Sequence, residues 1–203
     1  AIYLGNIEES HHKRAWLVQE FAGLKGRVKI FELGAGGGQT AAAMANLGHD
    51  VTMIELLEDS ANHAEELAKE VKNGSLKVIQ GDFYTENFEQ EFDVICYFDS
   101  FGIGSDDDQI RLLKRIASWL KDNGKVISEV GATWFWVKAA GIEMDLGAGM
   151  RRYGFDPLGS RLIDEWWIPE KPDEVYHQSL RCYTPADYNL LLKGSGLFLK
   201  DII

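Results

Sequence analysis

Long apolar runs, cysteine and positive charge are all scarce in this sequence of 203 residues. No apolar run approaches the roughly 20 residues of a membrane-spanning helix, and the first residues lack the basic-then-apolar pattern of a signal peptide. We therefore expect no membrane association and a cytoplasmic protein. The two cysteines, Cys96 and Cys182, lie in apolar segments without metal-ligand spacing. This predicts buried free thiols in a reducing compartment and no metal site.

Acidic residues outnumber basic ones by 32 to 21, which gives a formal net charge of −11. Such a charge repels polyanions, and the basic residues are scattered rather than clustered, so nucleic acid is not an expected partner. The composition, 45% hydrophobic and 26% charged, is that of a soluble globular protein. The length suits one α/β domain and is short for two. We therefore predict a single domain over residues 1–203, with an N-terminal helix inside residues 1–25.

Strand and helix patterns alternate along the first 130 residues. Helices are predicted at 10–24 with Ser10 as cap, at 40–47, at 57–71 and from 106 to about 120, where the segment 122–124 stops the last one. Strands are predicted at 28–33, 50–55, 76–80, 92–98 and 125–130. This alternation indicates a doubly wound, mostly parallel sheet with helices on both faces.

The alternation breaks at Gly131, and residues 131–183 form an insertion without a clear period. Strands at 160–168 and 175–183 are predicted to pair as a hairpin around residues 169–174. Thr184, Pro185 and Asp187 then have the spacing of a helix start, with Thr184 as cap. A last strand is predicted at 197–203.

A glycine cluster follows the first strand, with Gly34, Gly36 and Gly38 at alternate positions. Glycines let the backbone turn sharply out of a strand and let a ligand approach it, while the next helix points its N–H groups at that ligand. A dinucleotide fingerprint would need glycine or alanine at position 39, where Gln39 stands. The Lys-Ser/Thr of a Walker loop is also absent.

The pattern acidic-x-Gly-x-Gly-x-Gly over residues 32–38 resembles the first motif of class I S-adenosylmethionine (SAM)-dependent methyltransferases. The resemblance runs from about residue 28 to 203. It implies a Rossmann-like sheet of order 3-2-1-4-5-6 and SAM as the cofactor. The family usually adds an antiparallel seventh strand, and the sequence ends before one.

The resemblance also assigns roles to residues at the ends of successive strands. Glu55 would accept hydrogen bonds from the ribose hydroxyls, Asp82 would bind the adenine amino group, and Glu32 would bind the amino end of the methionine part. Residues 98–101 would lie near the methionine part and the transferred methyl. The expected cofactor site comprises Glu32, Gly34, Ala35, Gly36, Gln39, Glu55, Leu56, Gly81, Asp82, Phe83, Phe98, Asp99 and Ser100.

Substrate-covering elements are commonly inserted after the fifth strand in small-molecule members of this family, and the insertion here is rich in aromatic residues. These predict a pocket for a small, aromatic or largely apolar acceptor. A small core beneath the insertion and a homodimer interface explain them equally well, and Arg152 is read either as a partner for an anionic group or as a solvated surface residue. The candidate acceptor residues are Trp134, Trp136, Arg152, Tyr153, Trp166 and Trp167.

A base is needed only if the acceptor is an alcohol, a phenol or an acidic carbon. His177 is the first candidate because its ordinary pKa is near neutrality, and a role as a half-exposed strand histidine competes. Asp99, Glu129 and Tyr183 are the other candidates. The N-terminal segment with Tyr3, His11 and His12 is expected, by the resemblance, to close over the cofactor.

Three other functions are weighed against a small-molecule methyltransferase. An NAD(P)-dependent oxidoreductase shares the glycines and Glu55, but Gln39 and the Gly81-Asp82-Phe83 segment disfavour it. A SAM-binding protein without catalysis stays open, because cofactor binding and catalysis are separable. Nucleic-acid methylation is disfavoured by charge and by residues 99–102, which replace an Asn-Pro-Pro-Tyr motif. The methylated atom is unresolved between oxygen, nitrogen and carbon, and protein acceptors remain open.

Overall fold

A computed structural model describes residues 4–203. The chain divides into two compact units. The first unit contains the chain up to Phe98 together with Ser118–Ser128, and the second contains Asp99–Ala117 together with Glu129–Ile203. The prediction of a single domain stays a prediction.

Five strands form the first sheet: β1 (Lys29–Leu33), β2 (Asp50–Glu55), β3 (Ser75–Gln80), β4 (Phe92–Phe101) and β5 (Leu120–Val130). Their order in the sheet is β3-β2-β1-β4-β5. The β1–β2, β1–β4 and β2–β3 pairs are parallel, which confirms the predicted doubly wound arrangement. The central strands β1 and β4 are mostly buried because a sheet covered on both faces buries both sets of side chains.

Four helices alternate with these strands: α1 (Glu9–Ala22), α2 (Gln39–Asn46), α3 (Glu58–Glu70) and α4 (Asp106–Trp119). α2 is almost wholly buried, and its alanines allow this close packing. A Cβ on Gly38, just before α2, would come within 2.5 Å of the Ala64 Cβ on α3. The glycine is therefore required for helix packing as well as for the turn.

The second sheet is antiparallel, and its four strands lie side by side in chain order. β8 (Arg161–Ile168) and β9 (Lys171–Arg181) pair as the predicted hairpin, which is confirmed. β6 (Glu143–Asp145), β7 (Met150–Asp156) and α5 (Thr133–Ala139) were not predicted. The helix α6 (Pro185–Leu191) starts as predicted, since Thr184 and Asp187 form a capping box.

Three local predictions are wrong. Residues 197–203 form no strand in the described part of the chain, because a strand needs a ladder partner and no described strand pairs with this segment. β5 begins at Leu120 rather than at residue 125, because the chain becomes extended directly after α4, which ends at Trp119 close to its predicted end. α1 is capped by Glu8 rather than Ser10, because Glu8 and His11 form a capping box.

The predicted free thiols are confirmed, since Cys96 and Cys182 are both buried and neither forms a disulfide. None of the helices in residues 4–203 combines the length and apolar character that crossing a bilayer would require.

Candidate functional site

The glycine loop between β1 and α2 depends on left-handed backbone. Gly34, Gly36 and Gly38 have φ angles of 59°, 55° and 81°. Residues other than glycine rarely adopt these angles, so the sequence folds into this loop because glycine stands at each position. A Cβ on Gly36 would meet nothing within 4 Å, so the loop faces open space there. A ligand can approach the backbone closely at that point.

Glu55 at the end of β2 holds the loop from the side. Its Oε2 accepts a hydrogen bond of 2.8 Å from the Gly36 N–H, and its Oε1 accepts one of 3.0 Å from the Leu57 N–H. These two hydrogen bonds fix the side chain in place. A carboxylate offers about four acceptor positions, so the Glu55 carboxylate can still accept hydrogen bonds from two ligand hydroxyls.

Asp82 lies in the turn after β3. Its Oδ1 accepts a hydrogen bond of 2.8 Å from the Tyr84 N–H, which fixes the orientation of the carboxylate. The backbone N–H of Gly81 donates to the Glu55 carbonyl over 2.9 Å, so the turns after β2 and β3 are tied together. The Phe83 ring packs 5.7 Å from the ring of Tyr97. Leu56, in the turn after β2, is 63% exposed.

Glu32, one residue before the end of β1, is 3% exposed. Cys96 pairs with it on β4, and burial together with the Glu32 carboxylate raises the pKa of the Cys96 thiol well above its ordinary value. Phe98 is buried farther along β4, and Asp99 follows it with a left-handed φ of 57°. Such backbone is uncommon outside glycine, asparagine and aspartate, and it is found often at functional sites.

Gln39 starts α2, and its side chain is 8% exposed. Its Nε2 donates to the Gly5 carbonyl over 3.2 Å, which attaches the N-terminal segment to the start of α2. His11 accepts from the Glu8 N–H at the helix cap, and His12 is exposed. Tyr3, also predicted to lie near the cofactor, falls outside the described residues.

The structure thus brings the first-unit members of the predicted cofactor set to one edge of the sheet, at the carboxyl ends of β1–β4. Two residues here escaped the sequence analysis. His63 Nδ1 lies 2.7 Å from the Gly37 carbonyl, and the Arg14 guanidinium lies over the Phe98 ring. Neither residue belongs to a sequence motif, because helix packing alone brings each of them to the site.

These residues fit SAM. The open face at Gly36 admits a ligand against the loop backbone, and the anchored Glu55 carboxylate retains acceptor positions for a ribose diol. Carboxylates at Glu32 and Asp82 match the cationic and amino groups of the same molecule. When bound, SAM supplies a methyl group activated by a sulfonium centre.

The predicted acceptor residues of the second unit lie on two faces of its sheet. Trp136 packs 5.0 Å from Tyr153, and the Arg151 guanidinium lies between Tyr153 and Trp166, at 4.7 and 4.2 Å from their ring centres. Arg151 also makes a bidentate ion pair with Asp164, which is 2% exposed. We call Trp136, Tyr153, Trp166, Arg151 and Asp164 the aromatic cluster.

Arg152 and Trp167 belong to the opposite face, because neighbouring residues of a strand point to opposite sides. The Arg152 Nε donates to the Glu165 Oε2 over 2.7 Å, and its guanidinium lies 5.6 Å from the Trp167 ring. Trp134 on α5 is 55% exposed. The structure therefore gathers three of the six predicted acceptor residues.

The candidate bases differ in their surroundings. The Tyr183 hydroxyl donates to Asp106 Oδ1 over 2.7 Å, and burial, followed by that carboxylate, raises its pKa far above the ordinary value. Tyr183 thus stays protonated at neutral pH, which argues against it as a base. His177 is 59% exposed and lies 3.3 Å from Glu165 Oε1. Glu129 is exposed on β5, and Asp99 is exposed on β4.

Comparison with known proteins gives a family for part of the chain. Residues 30–124 match the family described as Methyltransferase domain. A protein-L-isoaspartate O-methyltransferase from Gloeobacter violaceus is 28% identical over 114 residues, which are 56% of this chain and 52% of that protein. The chain thus spans about half the length of the curated relative that it matches.

Solved structures show the same fold. The CcbJ methyltransferase from Streptomyces caelestis superposes with a TM-score of 0.80 at 22% identity, over 96% of this chain and 81% of that one. The glycopeptide N-methyltransferase MtfA, solved with sinefungin, gives a TM-score of 0.64 at 19% identity, over 92% of this chain and 76% of that one. Other solved SAM-dependent methyltransferases share the fold.

The strand-end motifs, the sheet order and these matches agree with the predicted family and cofactor. Residues 30–124 match a methyltransferase domain, and the chain shares its fold with solved SAM-dependent methyltransferases.

Proposed function

We propose that this chain transfers the methyl group of SAM to the nitrogen of a small, largely apolar amine. The observation that carries the proposal is the Glu55 carboxylate, anchored by two backbone N–H groups beside an open glycine loop. In the reaction, the nitrogen lone pair forms an N–C bond while the C–S bond breaks, and the nitrogen proton passes to water. The chain aligns the two reactants, which can supply several kcal/mol of the barrier.

The aromatic cluster supports a small, largely apolar acceptor. Its three rings offer apolar walls, and Arg151 and Asp164 fix their orientation through a paired charge. Aromatic side chains with a few polar groups are typical of small-molecule sites. The net charge of −11 supports the same choice, because it repels nucleic acid and attracts a cationic amine.

The surroundings of the candidate bases favour nitrogen over oxygen. An amine needs no protein base once it is neutral, whereas a phenol or alcohol must lose its proton in the reaction. Tyr183 stays protonated, and His177 is half-exposed and paired with Glu165. Asp99, exposed beyond Phe98, would instead accept a hydrogen bond from the amine and orient it. MtfA, which shares the fold, is an N-methyltransferase by name.

The setting of the reaction is part of the proposal. Two buried free thiols are typical of a reducing compartment, so we place the protein in the cytoplasm. The exposed side chains of Trp134 and Phe135 on α5 support a homodimer through the insertion. Sedimentation of the wild-type protein and of a Trp134→Ser, Phe135→Ser variant tests this, and a wild-type monomer would contradict it.

The first experiment is calorimetric titration of the purified protein with SAM, S-adenosylhomocysteine and NAD(H). We expect SAM and S-adenosylhomocysteine to bind and NAD(H) not to bind. Glu55→Gln should weaken both by about 100-fold, because ribose hydrogen bonds to a charged acceptor are lost. Glu58→Gln, at an exposed position three residues away, is the matched control. Binding of NAD(H) alone would contradict the proposal and favour an oxidoreductase.

The acceptor is tested with amines paired with alcohols or phenols of equal size, such as benzylamine against benzyl alcohol and aniline against phenol. We expect S-adenosylhomocysteine to accumulate with amines. Accumulation with the alcohols and phenols alone would assign the enzyme to oxygen. SAM binding without turnover of any acceptor, including peptides, would favour a SAM-binding protein without catalysis.

A further inference from the structure

The chain turns sharply at the end of β4, over residues 99–104, and we call this segment the β4 turn. Asp99, Gly102 and Gly104 have left-handed φ angles of 57°, 104° and 87°. Left-handed backbone interrupts a regular strand ladder, so the N–H and carbonyl groups of this segment need other partners. The second unit supplies them.

Strand β9 packs against the β4 turn backbone to backbone. The Arg181 N–H donates to the Gly102 carbonyl over 2.8 Å, and Ile103 forms an antiparallel bridge with Leu180. A Cβ on Gly102 would lie 2.2 Å from the Arg181 carbonyl oxygen, so glycine is required for this close approach. The β8–β9 hairpin is therefore in direct contact with the turn that carries Asp99.

Arg161, the first residue of β8, joins the hairpin to the turn through its side chain. Its Nε and Nη2 donate to the Ser179 hydroxyl and carbonyl over 2.7 and 3.0 Å. Its Nη1 donates to the Gly104 carbonyl over 3.0 Å, and its Nη2 also donates to the Gly102 carbonyl over 3.4 Å. One guanidinium thus holds β9 on one side and two carbonyls of the β4 turn on the other. Hydrogen bonds from a charged donor are stronger than those from a neutral one.

The position of Arg161 is unfavourable for the sheet itself. Arg161 lies directly opposite Arg181 in the β8–β9 ladder, and like charges at opposed positions destabilise a sheet. Both side chains are directed at the chain that leads from β4 into α4, since the Arg181 Nε lies 3.3 Å from Asp106 Oδ1 at the start of α4. The two arginines are thus explained by what they hold rather than by the stability of the hairpin.

A second side chain holds the β4 turn from α4. Gln109 is fully buried. Its Oε1 accepts from the Gly102 N–H over 3.3 Å, and its Nε2 donates to the Ile103 carbonyl. These bonds do not involve Arg161. We therefore expect the turn to form without Arg161 and to be held less precisely.

From this geometry we propose that Arg161 is a positioning residue for methyl transfer, because it holds the β4 turn where Asp99 can orient the acceptor amine. The inference rests on the proposed function, in which Asp99 accepts a hydrogen bond from the amine. It deepens that function by giving the insertion a part in the reaction. The left-handed backbone of Asp99 supports it, since such a conformation persists only where the surrounding structure fixes it.

The test compares Arg161→Met with the wild type. We expect kcat for the amine to fall by about 100-fold, because a small misplacement of an orienting group is costly in rate. The KM for the amine and the SAM affinity should stay within about threefold of wild type, because no bond to either ligand is removed. Arg111→Met is the matched control, since it removes the same charge from a side chain of the same unit that is 68% exposed. It should leave kcat unchanged.

Arg161→Lys adds a conservative variant. An ammonium donates to a carbonyl but lacks the guanidinium fork that spans the hairpin and the turn. We expect it to recover part of the kcat that Arg161→Met loses.

Hydrogen exchange followed by mass spectrometry gives a readout that needs no acceptor. The amides of residues 99–105 should exchange about tenfold faster in Arg161→Met, because the turn opens more often. Peptides from the glycine loop between β1 and α2 should be unchanged. Arg111→Met should match the wild type in both regions.

Three outcomes overturn the inference. They are a wild-type kcat in Arg161→Met, unchanged exchange over residues 99–105, and a fall in kcat with an equal loss of SAM affinity and faster exchange throughout the chain. In the last case Arg161 would only stabilise the fold. If the wild type binds SAM but methylates no amine, the proposed function fails and the link from Arg161 to the acceptor fails with it. The exchange measurement then still decides whether Arg161 holds the turn.

Discussion

The two units of this chain build their candidate sites in different ways. In the first unit, the site is made of backbone turns and carboxylates at strand ends, and each element is encoded within a few residues of sequence. In the second, the aromatic cluster is assembled across α5, β7 and β8 around one buried ion pair. A site made of turns depends on local conformation, whereas one made of cross-strand contacts depends on partners staying in place.

The largest expected effect follows from substitution of Asp164 in the second unit. Asp164→Ala leaves the Arg151 guanidinium without its carboxylate among aromatic rings, and we expect a loss of about 3–5 kcal/mol in the free energy of unfolding. Urea unfolding measures this. The double variant Asp164→Ala, Arg151→Met should recover much of the loss because no charge remains unpaired. SAM affinity measured below the unfolding transition should stay near wild type, and a parallel loss would show that the two sites are not independent.

Gly38→Ala tests the first unit in the same way. The new Cβ meets Ala64 in backbone of positive φ, so we expect destabilisation of about 2–4 kcal/mol by strain and overpacking. Gly36→Ala is the matched control within the loop, since its Cβ meets nothing. It should cost about 1 kcal/mol, from the left-handed φ alone, while weakening SAM more than Gly38→Ala does. Equal melting temperatures for the two variants would contradict this account.

The faces of the second sheet can be compared through two adjacent tryptophans. Trp166→Ala removes a wall of the aromatic cluster and should raise the KM for the amine acceptor by about tenfold, since roughly 1.4 kcal/mol of contact is lost. Trp167→Ala, on the opposite face, should leave this KM unchanged. SAM affinity should be equal in both variants. An equal rise in KM in the two variants would contradict binding of the acceptor at the face that carries Trp166.

The smallest expected effect concerns His49, which is 3% exposed in the first unit and has no hydrogen-bond partner for either ring nitrogen. Burial lowers its pKa below 6.5, and Asp50 only partly opposes this. Below pH 6.5 His49 therefore binds a proton more readily in the unfolded chain than in the folded one. The free energy of unfolding is thus unaffected by His49 above pH 6.5 and falls as the pH drops below that value.

Urea unfolding at pH 8 and pH 5 measures this effect. We expect the free energy of unfolding to be lower at pH 5, by about 1 kcal/mol for each unit by which the pKa of His49 is lowered. His49→Leu should reduce the difference between the two pH values. An unchanged difference in that variant would assign the pH dependence to other groups.

Sequence reasoning worked best where structure is local. The glycine spacing and the acidic residues at strand ends predicted the cofactor edge, because each signal lies beside the strand that positions it. The same holds for the Thr184 cap. The turn region 169–174 between two short strand-like segments predicted the β8–β9 hairpin.

It failed where partners are distant. The apolar residues within 197–203 favour a strand, yet a strand needs a neighbour that no local pattern supplies. Arg14 meets Phe98 through packing of α1 and carries no motif. Grouping Trp166 with Trp167 overlooked that adjacent strand residues face opposite ways, a rule that the sequence alone could have applied.

The left-handed backbone of Asp99 limits how this site can evolve. Aspartate, asparagine and glycine adopt such angles readily, whereas β-branched and bulky residues do so at a substantial cost. Substitution at position 99 without a shift of β4 is therefore confined to a small set of residue types. Among them, Asp99→Asn changes the charge while keeping the shape, so under the role proposed for Asp99 a single conservative substitution would alter the acceptor preference.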